Sequence, residues 1–165
     1  MAQVVLRLGD DVSTDTIYPG RFMATVLPTE TPQYCFADVG DFNRRLKEGL
    51  VAPGSVVVAG RNFGTGSSRE QAASALKGWD LVVVARSYSR IFLQNAVNVG
   101  LRLVICPDIE AAEGDELDIG QTEIVNKTQD KRFRVVPLPP ARQAIVDAGG
   151  LVPYIRKRVV EERAR

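Results

Sequence analysis

Ser55-Val56-Val57-Val58-Ala59-Gly60-Arg61-Asn62-Phe63-Gly64-Thr65-Gly66-Ser67-Ser68-Arg69-Glu70-Gln71 reads as a buried strand, a glycine turn and a helix start in seventeen residues. The apolar run Ser55 to Ala59 leads in, and the helix-forming run Gln71 to Lys77 leads out. Gly64, Thr65 and Gly66 form the turn, in which glycine lets the backbone take positive φ and approach a ligand closely. The first N–H groups of the following helix have no partner within it and favour an anion. Arg69 adds a planar fork suited to a carboxylate or phosphate, and Ser67 and Ser68 add hydroxyls. A plainer role is available to the serines as well. Ser67 with Glu70, or Ser68 with Gln71, fits the capping-box pattern, so one hydroxyl can cap the helix while its neighbour does chemistry.

Working outward, Leu81-Val82-Val83-Val84-Ala85 is a second β-branched run of the kind buried on both faces of a sheet. Tyr88 to Val99 predicts a helix and Leu101 to Cys106 a third strand, giving a β-α-β-α-β succession with a parallel core. Val4 to Leu8 predicts a further strand. Beyond Pro107 the chain changes to short alternating pieces, Glu116–Ile119, Glu123–Asn126 and Arg132–Leu138, which suit an antiparallel layer. The fold class is therefore α/β with a mixed or doubled, partly parallel sheet. Phe36 to Glu48 predicts a helix, and Arg21 to Gln33, with Pro28 and Pro32, predicts a loop without regular elements. Helices are expected from Leu138 to Ala148 and from Leu151 to Val160, with Gly149-Gly150 between them.

The 165 residues fit one domain, 1–165, large enough for a single core. Twenty-one basic and twenty acidic residues give a net charge of +1, so no global field drives the chain onto nucleic acid or a membrane. No apolar run approaches bilayer-spanning length, and Met1-Ala2-Gln3-Val4 lacks a signal-peptide layout, which predicts a cytoplasmic protein. Cys35 and Cys106 sit among apolar neighbours and read as core residues. Two cysteines and no histidine exclude a Ser-His-Asp triad, the usual zinc site and a four-ligand iron–sulfur site made by this chain alone. No metal ligands are assigned.

Four segments carry a resemblance that spans nearly the whole chain. They are Gly9 to Gly20, Gly60 to Gln71, Ala85 to Leu101, and Ala148-Gly149-Gly150-Leu151. In this order and spacing they resemble the small subunits of isopropylmalate isomerase and homoaconitase, the separately encoded swivel domain of the aconitase superfamily. The resemblance implies a three-layer β/β/α swivel domain. It implies a hydro-lyase that isomerises a hydroxy-diacid or hydroxy-triacid by removing and re-adding water. It also implies a large partner subunit holding a 4Fe–4S cluster, with no cofactor bound by this chain alone. Ser67 matches the serine that, as an alkoxide, takes the proton beside the carboxylate; Arg69 matches the carboxylate-binding arginine and Ser68 a residue at the substrate. Consecutive residues of a regular helix point about 100° apart, so convergence of these three requires Ser67 to lie in the irregular turn.

The same resemblance places substrate choice in the loop Pro19-Gly20-Arg21-Phe22-Met23-Ala24-Thr25, where homoaconitase carries an arginine at the position of Ala24. An uncharged wall suits an alkyl group, because a buried carboxylate without a partner is costly. The favoured substrate is thus 3-isopropylmalate, in leucine biosynthesis, with Phe22, Met23 and Ala24 at its alkyl end. Tyr18 is a further candidate for the cavity, whereas Arg86, Arg90 and Asn95 read as packing and capping residues, and Trp79 as a helix-end cover. The alternatives are a small subunit of homoaconitase or of another alkylmalate dehydratase, and a non-catalytic anion-binding regulatory subunit. Self-association of the isolated chain through an apolar partner-facing surface is the accompanying expectation.

Overall fold

The computed structural model describes residues 1–165. Its parallel half consists of β1 (Ala2–Arg7), β2 (Val56–Ala59), β3 (Val82–Ala85) and β4 (Leu103–Ile105). Its antiparallel half is β5 (Glu116–Ile119), β6 (Glu123–Asn126) and β7 (Lys131–Arg134). The order is β4-β3-β2-β1-β5-β6-β7. Val56 pairs with Val4 on one side and Val82 on the other, both parallel, whereas Ala2 meets Leu117 antiparallel.

Side-chain alternation along β2 and β3 explains why both runs are apolar throughout. Val57, Ala59, Val83 and Ala85 face the larger core, and Val56, Val58, Val82 and Val84 face a second one. The larger core is shared with the crossover helices α3 (Glu70–Gly78), through Ala72, Ala73, Ala75 and Leu76, and α4 (Arg90–Val99), through Phe92, Ala96 and Val97. The smaller core is shared with Leu117, Ile124 and Val135 of the antiparallel half. Helices, parallel strands and antiparallel strands therefore stack as three layers, as the resemblance implies. After β7 the chain folds back, and Val136 N–H donates to Ile105 O at 2.8 Å, bridging to β4.

The remaining helices are α1 (Thr14–Ile17), α2 (Phe42–Lys47), α5 (Pro140–Asp147) and α6 (Leu151–Arg163). The helix expected from Phe36 is only α2, because Phe36 takes φ +52° and fills the core from a turn. The region 21–33 is less irregular than its prolines suggest, with 3-10 turns at Gly20–Phe22 and Thr31–Tyr34. Trp79 covers the end of α3, its indole N–H donating to Pro32 O at 2.7 Å. No helix is long and apolar enough to cross a membrane.

Candidate functional site

The glycine turn leaves the carboxyl end of β2, the edge at which open parallel sheets place their ligand crevices. Gly64 takes φ +84° and Gly66 φ +95°. A Cβ on Gly64 would overlap the Phe92 side chain, so α4 packs against bare backbone there. Two neighbouring segments fix the turn. Gly64 N–H donates to Val12 O at 2.8 Å, Phe63 N–H to Ser87 O at 3.0 Å, and the Ser89 hydroxyl to Gly64 O at 2.7 Å. Ser89 also caps α4, accepting from Phe92 N–H.

Ser67, Ser68 and Arg69 all precede α3, which begins at Glu70. The irregular backbone required for their convergence is thus present, and both serines are exposed. Neither capping box forms. Arg69 occupies the cap position with φ −127° and ψ 102°, and no side chain caps the helix. Across the chain, Arg69 Nη1 donates to Asp15 Oδ1 at 2.7 Å and to Tyr18 O at 3.1 Å. Its side chain is 16% exposed against 66% for Asp15. The Arg69 hydrogen bond, followed by one from Gly20 N–H, holds the Asp15 carboxyl below its usual 3.8.

Thr14 and Asp15, which the sequence reading did not single out, clamp the site from the first loop. The buried Thr14 hydroxyl donates to Ser67 O at 2.8 Å, and Thr14 N–H to Thr65 O at 2.9 Å. Ser13 beside them caps α1, accepting from Thr16 N–H. A signal for all three was their place inside the first resembling segment. Asn95 goes beyond packing, since its amide lies 3.4 Å from Ser68 Oγ. Arg86 keeps a structural role, donating to Ile109 O.

The loop 19–25 lies against the same helix start. Gln71 Nε2 donates to Met23 O at 3.4 Å, and Tyr18, fully buried, holds the loop from beneath through its hydroxyl to Phe22 O at 3.1 Å. Tyr18 is therefore an anchor and not a cavity wall. The Phe22 ring stacks on Tyr34 with centroids 4.0 Å apart, and the Arg21 guanidinium sits over it at 4.5 Å. Arg21 in turn forms a two-point pair with Asp38, so this arginine is committed at the surface. Ala24 is exposed and uncommitted. Beside it Val26 and Leu27 are 63% and 54% exposed.

The fourth resembling segment is elsewhere. Gly100, Gly149 and Gly150 meet backbone to backbone where α4 ends and α6 begins. No group of three or more His, Cys, Asp or Glu is placed to hold a metal. Cys35 and Cys106 are buried in different cores, which does not fit an iron–sulfur cluster on this chain.

The model of the aconitase C-terminal domain matches residues 27–106, from just after the loop 19–25 through both crossovers. The 3-isopropylmalate dehydratase small subunit of Methanosarcina mazei is 44% identical over 160 residues, covering 94% of this chain and 96% of that one. The chain belongs to the 3-isopropylmalate dehydratase small-subunit family. A crystal structure from this family, 3-isopropylmalate dehydratase of Methanocaldococcus jannaschii, superposes with a TM-score of 0.88 at 38% identity, covering 98% of this chain and 96% of that one. The methanogen homoaconitase small subunit of the same organism is 42% identical over 156 residues, covering 92% of this chain and 89% of that one. The relatives thus include proteins named as 3-isopropylmalate dehydratase small subunits and as a homoaconitase small subunit.

Proposed function

We propose that this chain is the small subunit of a heteromeric hydro-lyase that interconverts 2-isopropylmalate and 3-isopropylmalate in leucine biosynthesis. The observation that carries the reading is the turn itself, with Ser67 exposed on it and Arg69 fixed two residues on, within a family of dehydratase small subunits. The whole chain, 1–165, acts as one swivel domain in the cytoplasm.

In the reaction, Arg69 binds a substrate carboxylate through the part of its fork not committed to Asp15. Ser67, as an alkoxide, removes the proton from the carbon beside that carboxylate. The hydroxyl leaves from the adjacent carbon, so the elements of water are lost and a double bond forms. Hydroxide then adds to the carbon that lost the proton while Ser67 returns its proton to the other carbon, so that the elements of water are restored with the opposite placement and the alkoxide is regenerated. Ser68, oriented by Asn95, contributes a hydrogen bond at the substrate. A serine hydroxyl is too weak an acid for this role unless its anion is stabilised, for which the free N–H groups at the start of α3 and Arg69 are the local donors once the large subunit closes over the turn. Val26 and Leu27 supply apolar surface for that contact. The donor set of this chain does not hold the 4Fe–4S cluster, which the reading assigns to the large subunit.

Homoaconitase is the second reading, and overall identity does not decide between the two. Ala24 favours the alkyl substrate: it brings no charge to the loop, and Arg21, the nearby cation, is engaged by Asp38. The test is Ser67→Ala in the complex with the large subunit, prepared anaerobically with the cluster reconstituted. Turnover of 3-isopropylmalate should fall by about 10²–10⁴-fold, the range for loss of a general base, while assembly and substrate binding persist. Unchanged turnover would leave a regulatory anion-binding subunit as the surviving reading.

A further inference from the structure

We propose that Asp15 is a positioning residue for this reaction, setting the Arg69 guanidinium and tying it through one carboxylate oxygen to Gly20 at the base of the substrate loop. The inference rests on the proposed carboxylate-binding role of Arg69. Asp15 Oδ1 accepts from Arg69 Nη1 at 2.7 Å and from Gly20 N–H at 2.8 Å, so one atom joins the anion-binding arginine to the loop that faces the other end of the substrate. The contact surface is equally specific. A Cβ on Gly20 would stand 3.3 Å from both Arg69 Nη2 and Asp15 Oδ1, so the pair lies against the glycine backbone. Within the chain Arg69 donates only through Nη1, to Asp15 and Tyr18, which leaves Nη2 and Nε for a bidentate carboxylate.

Asp15 is two-thirds exposed, and exposed ion pairs add little to stability, so holding the fold together does not account for it. Orientation does. A guanidinium with one nitrogen pinned loses little further freedom when the substrate arrives, and that lowers the cost of binding. The shared oxygen has a second consequence: a shift of the loop at Gly20 is transmitted to Arg69. The two ends of the substrate are then read jointly, and a wrong group at the loop disturbs the carboxylate contact.

The test uses the assembled, cluster-loaded complex and measures KM and kcat for 3-isopropylmalate in D15A, D15N, R69K, G20A, and the double variants D15A/R69K and G20A/R69K. D15A should raise KM by about 10-fold or more, as for a lost charge-assisted hydrogen bond. D15N retains an oxygen that accepts both bonds and should recover most of that loss. In the R69K background, D15A should add nothing, because its effect passes through Arg69. If D15A fails to assemble, G20A provides the second route, with a KM rise that likewise vanishes in G20A/R69K. A wild-type KM in D15A, or effects that multiply in the doubles, overturns the proposal for Asp15 and leaves the function intact. A wild-type KM in R69K overturns the carboxylate-binding role and this inference together.

Discussion

Gly64 and Gly66 at one end of the helical layer, and Gly100, Gly149 and Gly150 at the other, all take positive φ and all fall within the segments that carry the family resemblance. Their surroundings differ. At Gly64 the missing side chain lets α4 approach a turn whose next residues are polar, with Ser67 and Ser68 exposed and Thr65 and Arg69 half-buried. At Gly100 it lets two backbones touch, the Gly149 and Gly150 backbone filling the space a side chain would take. A glycine pattern therefore marks chemistry only when the residues after it are polar, exposed and held from several directions. Otherwise it marks close packing.

Four perturbations test that contrast, from the largest effect to the smallest. Gly64→Ala should damage both properties: the clash with Phe92 shifts the turn, destabilising the fold by about 1–3 kcal/mol and lowering turnover by about 100-fold through misplacement of Ser67. Denaturant unfolding and steady-state kinetics on the assembled enzyme check the two parts. Gly100→Ala should cost about as much stability, since its Cβ meets the Gly149 carbonyl, yet turnover per folded complex should stay within about 2-fold of wild type. A large kcat loss there would break the contrast.

Ala24→Arg should leave stability unchanged within about 0.5 kcal/mol, as for an exposed site. It should move the ratio of kcat/KM values from 3-isopropylmalate towards homoaconitate by about 10-fold or more. An unchanged preference would remove Ala24 from the specificity assignment. The smallest effect concerns acid. Asp115 accepts from Ala112 N–H at 2.8 Å, Asn126 at 2.8 Å and Gln129 at 2.6 Å, and these bonds, led by the Ala112 amide, hold its carboxyl below 3.8. A lowered folded value contributes stability that is fully present above 3.8 and is lost as pH falls through the folded value. Urea unfolding of wild type and Asp115→Asn should differ by a constant amount near neutrality, with the gap closing below pH 3.8.

The layers were legible because Val56–Ala59 and Val82–Ala85 are apolar on both faces, a pattern that demands cover on each side. Ser67 and Arg69 were legible as candidates from the turn and the family resemblance. Their support was not. The pair between Arg69 and Asp15 joins residues 54 positions apart, and no local spacing reports it. The capping-box motifs at Ser67 and Ser68 did not form, because α3 begins at Glu70 with Arg69, not a serine, in the cap position. Tyr18 was misread as cavity lining because an aromatic beside a turn carries no mark of which way it packs; the core beneath the loop claimed it.

The two thiols carry a consequence for handling the enzyme. Burial alone pushes Cys35 far above the normal thiol range, and Cys106 is pushed up to about 11, chiefly by burial. Neither presents a thiolate near neutral pH, the form that alkylating agents and oxidants attack. Under the two-subunit reading, inactivation by air or by iodoacetamide then falls on the partner, and this subunit can be purified on the bench and recombined with a freshly prepared large subunit.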